Sequence, residues 1–168
     1  MGNISKFVEE MAWIDEDFFI EWRDEIAEYF YPAALDDIGR LDWSAYNYLI
    51  SLNKNNESLS SEEVDSLLER DDAYFMEIII SREKMLASVH FWQYPKGGQG
   101  GILNVSEKAF LSEQEAMKNK FIDFAKENRL VILNDKDLKE LVPYQGEMVT
   151  IYFKYFDDQY ESSREIPY

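Results

Sequence analysis

The stretch "YFMEIIISREKMLASVHFWQY", residues 74–94, is where the hydrophobic period of the chain changes. Upstream, apolar residues recur three or four apart; here they alternate. Tyr74, Met76, Ile78 and Ile80 fall on one face of an extended segment, and Met85, Ala87, Val89 and Phe91 on one face of the next. The intervening "SREK" has no glycine for a left-handed turn position, so a four-residue connection is expected rather than a two-residue one.

Downstream, "PKGGQGG" (95–101) punctuates the chain and "ILNV" (102–105) predicts a third strand. A helix follows over 112–128, opened by the capping box Ser112-x-x-Glu115, with Met117, Phe121, Phe124 and Ala125 facing inward. "LVIL" (130–133) reads as a short buried strand. "DKDLKEL" reads as one or two helical turns with Asp135 as cap. "MVTIYFKYF" (148–156) reads as a last strand with Val149, Ile151, Phe153 and Tyr155 inward. Residues 157–168 show no period and are expected to form a loose tail.

Upstream, residues 3–12 predict a short helix, and "DEDFFIEWRDEIAEYF" (15–30) the clearest helix of the chain. Phe19, Trp22, Ile26, Tyr29 and Phe30 recur at helical spacing, Asp15 is placed to cap, and Pro32 to stop it. A third helix is expected over 43–52, and a fourth after Ser60-x-x-Glu63, burying Val64, Leu67 and Leu68. The predicted class is α+β: N-terminal helices followed by an antiparallel sheet with one helix packed on it, in a single domain over residues 1–156.

The chain has 168 residues and no cysteine, which excludes disulfides and cysteine-ligated metal sites. Neither a secretion signal, a myristoylation pattern nor a transmembrane run is recognisable, so a cytoplasmic protein is expected. The net charge of −17 disfavours binding to nucleic acid or anionic membranes and points to a basic partner. That charge is uneven. Residues 1–73 carry nineteen acidic and five basic side chains, leaving only −3 for the remaining 95 residues.

Sites for chemistry are few. His90 is the only histidine; it reads as a structural residue, with catalysis as the rival role. The "KGGQGG" loop lacks the Lys-Ser/Thr ending of a phosphate-binding loop. Asp71-Asp72, Asp135-x-Asp137 and Asp157-Asp158-x-x-Glu161 supply oxygen ligands without a cation-binding pattern. No catalytic residue, metal or cofactor is expected.

The acidic helix is the unusual feature. Asp17, Glu21, Asp24 and Glu28 form a stripe opposite Phe19, Trp22, Ile26 and Tyr29. Like-charged neighbours three and four apart cost about 1–2.5 kcal/mol in total, and Arg23 has no acidic residue at either spacing. The helix predicted at 112–128 mixes its signs instead. Asp36, Asp37 and Asp42 extend the stripe, with Glu62, Glu63 and Asp65 as further candidates. Tyr31 and Trp43 are candidate anchors at its edge.

A small, cysteine-free, aromatic-rich α+β chain with acidity concentrated in one region resembles the immunity proteins of bacterial toxin–immunity systems. The resemblance is one of size and charge, without a shared motif. It implies a non-catalytic inhibitor that binds a basic toxin domain, often a nuclease. Two other readings remain open. One is a DNA mimic presenting carboxylates to a DNA-binding enzyme; the other is an enzyme using His90 or a carboxylate pair.

Overall fold

The computed structural model describes residues 2–15, 22–39, 44–51, 66–97 and 103–156. Two helices, α1 (Asn3–Glu10) and α2 (Trp22–Phe30), precede the strands β1 (Ala34–Asp37), β2 (Ala45–Ser51), β3 (Ala73–Ser81) and β4 (Leu86–Tyr94). After them come β5 (Asn104–Ser106), α3 (Ser112–Glu127), β6 (Val131–Ile132), α4 (Asp135–Leu138), the ribbon of β7 (Leu141–Tyr144) and β8 (Glu147–Thr150), and α5 (Ile151–Tyr155). The class is α+β, as the change of period predicts.

The sheet runs β1-β2-β3-β4-β5 with antiparallel pairing throughout. β6 adds to β4 in parallel, at Leu86↔Val131 and Ala87↔Ile132. The quoted stretch forms the central hairpin, its register set by Ile80↔Ala87 and Ile78↔Val89, with four residues, 82–85, between the strands. Met76, Ile78 and Ile80 join Ala87, Val89 and Phe91 in the main core, as their alternation requires.

Both faces of the sheet are covered. On the first, Trp22, Ile26 and Phe30 of α2 and Phe121, Phe124 and Ala125 of α3 close the main core. Trp22 meets Phe124 edge-on at 5.9 Å, and Tyr29 meets the same ring at 5.1 Å. Each such buried side chain contributes roughly 1.5–3 kcal/mol. On the second face Ile79 and Leu86 pack with Val8, Leu138, Val142 and α5. A strand covered on both sides has no need to alternate strictly, which is why Ile78, Ile79 and Ile80 are all buried.

Four local expectations are corrected. The run at 43–52 is strand β2 where it is described, not helix. Trp43, Tyr46 and Ile50 mimic a helical spacing, but Tyr46, Tyr48 and Ile50 point to one core, and β1 and β3 pair with its two edges. The expected strand at 148–156 ends at Thr150, whose Oγ1 accepts from Phe153 N at 3.1 Å and starts α5. Every residue from 151 to 156 is buried, so no period was available to read.

The cap of α3 is Leu111 rather than Ser112; Gln114 Oε1 accepts from the amides of Phe110 (2.8 Å) and Leu111 (3.2 Å) instead. Asp135 does not cap α4. Asn134 does, accepting from Asp137 N at 2.9 Å. Asp15 is described without the residues that follow it, and the capping box at Ser60, Phe19, Val64 and the tail from 157 lie outside the described residues. Leu68 is buried as expected.

Candidate functional site

The aromatic side of α2 fixes what its other side presents. With Trp22, Ile26 and Phe30 buried, Arg23, Asp24, Glu25 and Glu28 are exposed. Arg23 Nη1 lies 3.4 Å from Asp24 Oδ1, so the arginine does meet an acid, at the adjacent position rather than three or four away. With Asp24's side chain 92 % exposed the pair is weak. The helix ends at Phe30, before a cis Tyr31–Pro32 bond. Tyr31 is 65 % exposed.

α2 packs against β1, the edge strand of the sheet, which carries Asp36 and Asp37. Asp36 is half-buried. Asp37 is exposed, but its Oδ1 accepts from Gly39 N at 3.1 Å and shapes the turn that follows. The structure thus brings Asp24, Glu28, Tyr31, Asp36 and Asp37 onto one helix and its neighbouring edge. Asp17, Glu21, Asp42, Trp43, Glu62, Glu63 and Asp65 lie outside the described residues.

A second constellation centres on His90. It sits on β4 opposite Glu77 of β3, on the sheet face away from α2 and α3. The ring is 1 % exposed, and Nε2 lies 2.6 Å from Asp135 Oδ1. Glu107 Oε2 accepts from Asp135 N at 2.6 Å, so the start of α4 is tied to both β4 and the segment after β5. Glu77, also buried, accepts from Trp92 Nε1 at 3.1 Å and from Asn47 Nδ2 at 3.4 Å. A carboxylate-bound imidazole is the arrangement that orients a general base. Here the ring is sealed beneath Asp135, which is the partly accessible member of the pair.

The sequence signalled the histidine but not its partner. Asp135 lies 45 residues away, and the capping position it resembled was taken by Asn134. The signal for Glu77 is one of pattern alone: it interrupts an otherwise apolar run on a strand.

Asp72 and Asp137 are engaged locally, and the Asp157-Asp158-x-x-Glu161 group lies outside the described residues. Asp72 accepts from Lys96 N at 2.7 Å, Tyr74 Oη at 3.0 Å and Gln93 Nε2 at 3.0 Å, which holds its carboxyl below the ordinary range. Asp137 caps α4 reciprocally with Asn134. Among the described residues no group of three or more histidine or acidic side chains is placed to hold a metal ion. No helix among them is long and apolar enough to cross a membrane.

No protein family, curated protein or solved structure matches this chain.

Proposed function

We propose that this protein is a non-catalytic inhibitor that captures a basic protein through the acidic face of α2 and its continuation on β1. The proposed partner is a toxin domain such as a nuclease. One observation carries the reading. α2 keeps Trp22, Ile26 and Phe30 inside while leaving Asp24, Glu25 and Glu28 exposed, with an exposed tyrosine, Tyr31, just past its end.

The physical case is a balance of magnitudes. Crowded carboxylates cost the helix tenths of a kcal/mol per pair. A clustered negative face accelerates encounter with a cationic partner by about 10- to 1,000-fold. Carboxylates of this kind steer and pair with lysine and arginine, and Tyr31 supplies apolar contact that they cannot.

The test is association with the basic domain that co-purifies with this protein from its native host, measured by stopped flow at low and moderate salt. Glu21→Lys/Asp24→Lys/Glu28→Lys should slow association and flatten its salt dependence while the far-ultraviolet circular dichroism stays the same. Unchanged binding by the triple variant, or no basic domain in the co-purified material, overturns the assignment.

A further inference from the structure

The sheet has a notch on the outer side of β4. β6 pairs with Leu86 and Ala87, and β5 with Phe91 to Gln93, so Ser88, Val89 and His90 lie between two strands that run in opposite directions. The ladder along this edge of β4 is interrupted at these three residues, and concave places in a surface are where small ligands bind. Two concavities open here. One, of about 390 Å³, is floored by Val89, Ile122, Ala125, Leu130 and Ile132. The other, of about 640 Å³, is lined by His90, Ser106, Lys108, Asp135 and Lys136. Glu107 and Asn134 border both.

The charge here runs against the rest of the molecule. In a chain of net charge −17, four lysines (108, 118, 126 and 136) line the two concavities against two carboxylates. Both carboxylates are already engaged, Asp135 by His90 and Glu107 by the Asp135 amide. Lys118 Nζ reaches the Glu107 carbonyl at 3.5 Å, and Lys126 lies 3.8 Å from Asp123. Among the described residues, the ammonium groups of Lys108 and Lys136 have neither a hydrogen bond nor an ion pair.

We propose that this notch binds a small amphipathic anion. Its aliphatic or aromatic part occupies the chamber floored by Val89 and Ile132, and its carboxylate is held by Lys108 and Lys136. The apolar room lies within the range of small-molecule pockets. Two unpartnered ammonium groups supply charge-assisted hydrogen bonds to a carboxylate. A free small molecule is the occupant rather than a bilayer, because the net charge repels anionic membranes. The site shares no residue with the acidic face of α2 and stands whatever that face binds.

The experiment is titration of the full chain with decanoate, followed by calorimetry and amide chemical shifts, with decanol, decyltrimethylammonium and acetate as controls. Decanoate should bind saturably at one site and shift the amides of Val89, Ser106 and Ile132. Decanol and acetate should bind at least about tenfold more weakly, and the cation, wherever else on this acidic chain it binds, should leave the amides of Val89, Ser106 and Ile132 unshifted. Lys108→Gln/Lys136→Gln changes only exposed side chains and should weaken decanoate by about tenfold or more, each tenfold being about 1.4 kcal/mol. Ile122→Trp, filling the chamber from a half-buried position, should abolish the shifts. Unsaturable binding, equal affinity for decanol or acetate, or a double lysine variant that binds as tightly as the parent overturns the proposal.

Discussion

Tyr155 donates a hydrogen bond of 2.5 Å to Glu9, 146 residues earlier in the chain. Lys154 Nζ completes the contact at 2.9 and 3.1 Å from the two carboxylate oxygens and also reaches the Pro143 carbonyl at 2.8 Å. Lys84, in the turn of the central hairpin, donates to the carbonyls of Val8 (2.5 Å) and Glu9 (3.1 Å) at the end of α1. Its ammonium lies 4.7 Å from the Trp13 ring centre and 5.1 Å from that of Tyr155. The two lysines therefore join α1, the hairpin turn and α5, and each buried cation is compensated by oxygens or rings.

Glu9→Gln is expected to destabilise the protein by about 2 kcal/mol, because Lys154 keeps its buried charge and loses its counter-ion. The same group predicts acid sensitivity. Burial raises the Glu9 carboxyl, but hydrogen bonds from Tyr155 and Lys154 and the charges of Lys154 and Lys84 outweigh it, so the group titrates below its ordinary 4.5. A depressed folded value means the stabilisation is complete above about 4.5 and is lost as pH falls through the lower value. Urea midpoints measured across this range should fall with acidification in the parent and fall less steeply in Glu9→Gln.

Gln114 is fully buried, and its amide makes three contacts: Oε1 to Phe110 N and Leu111 N, and Nε2 to Phe75 O at 3.0 Å. Leucine at this position fills similar space and leaves those backbone groups without a partner. A loss of about 2–3 kcal/mol is expected, read from denaturant midpoints with the slope unchanged.

Asp135→Asn keeps the shape of the side chain and removes the charge facing His90. A loss of about 1–2 kcal/mol is expected, together with faster amide exchange in α4 than in the central hairpin. Exchange that quickened equally everywhere would show that the pair does not act through α4.

Asp24→Lys should leave stability within about 0.5 kcal/mol of the parent, or raise it slightly, since a lysine four residues before Glu28 replaces repulsion with attraction. Thermal unfolding checks this. A large loss would mean that the exposed carboxylate serves the fold, which the recognition reading does not allow.

The central hairpin was legible because its apolar residues keep a period of two and its turn lacks glycine. α3 was legible because its inward residues Phe121, Phe124 and Ala125 lie beside a mixed-charge outer face. β2 and α5 were not. In β2 the spacing fits two periods over a run too short to separate them. In α5 every side chain is buried, so neither period leaves a polar face to read. The acidic character of α2 was visible in the residues alone, whereas the half-burial of Asp36 and the turn held by Asp37 were not.

Composition and periodicity, taken alone, determined the class of the fold, the hairpin at its centre and the side of α2 that faces water, since each follows from where apolar residues recur along a local element. Only the tertiary structure decided that both faces of the sheet are covered, that Asp135 meets His90, that Glu9 meets Tyr155, and that unpartnered lysines flank a gap in the strand ladder. Those relationships join residues far apart in the chain. They depend on which buried polar groups the packing brings within hydrogen-bonding distance, and no local pattern encodes that.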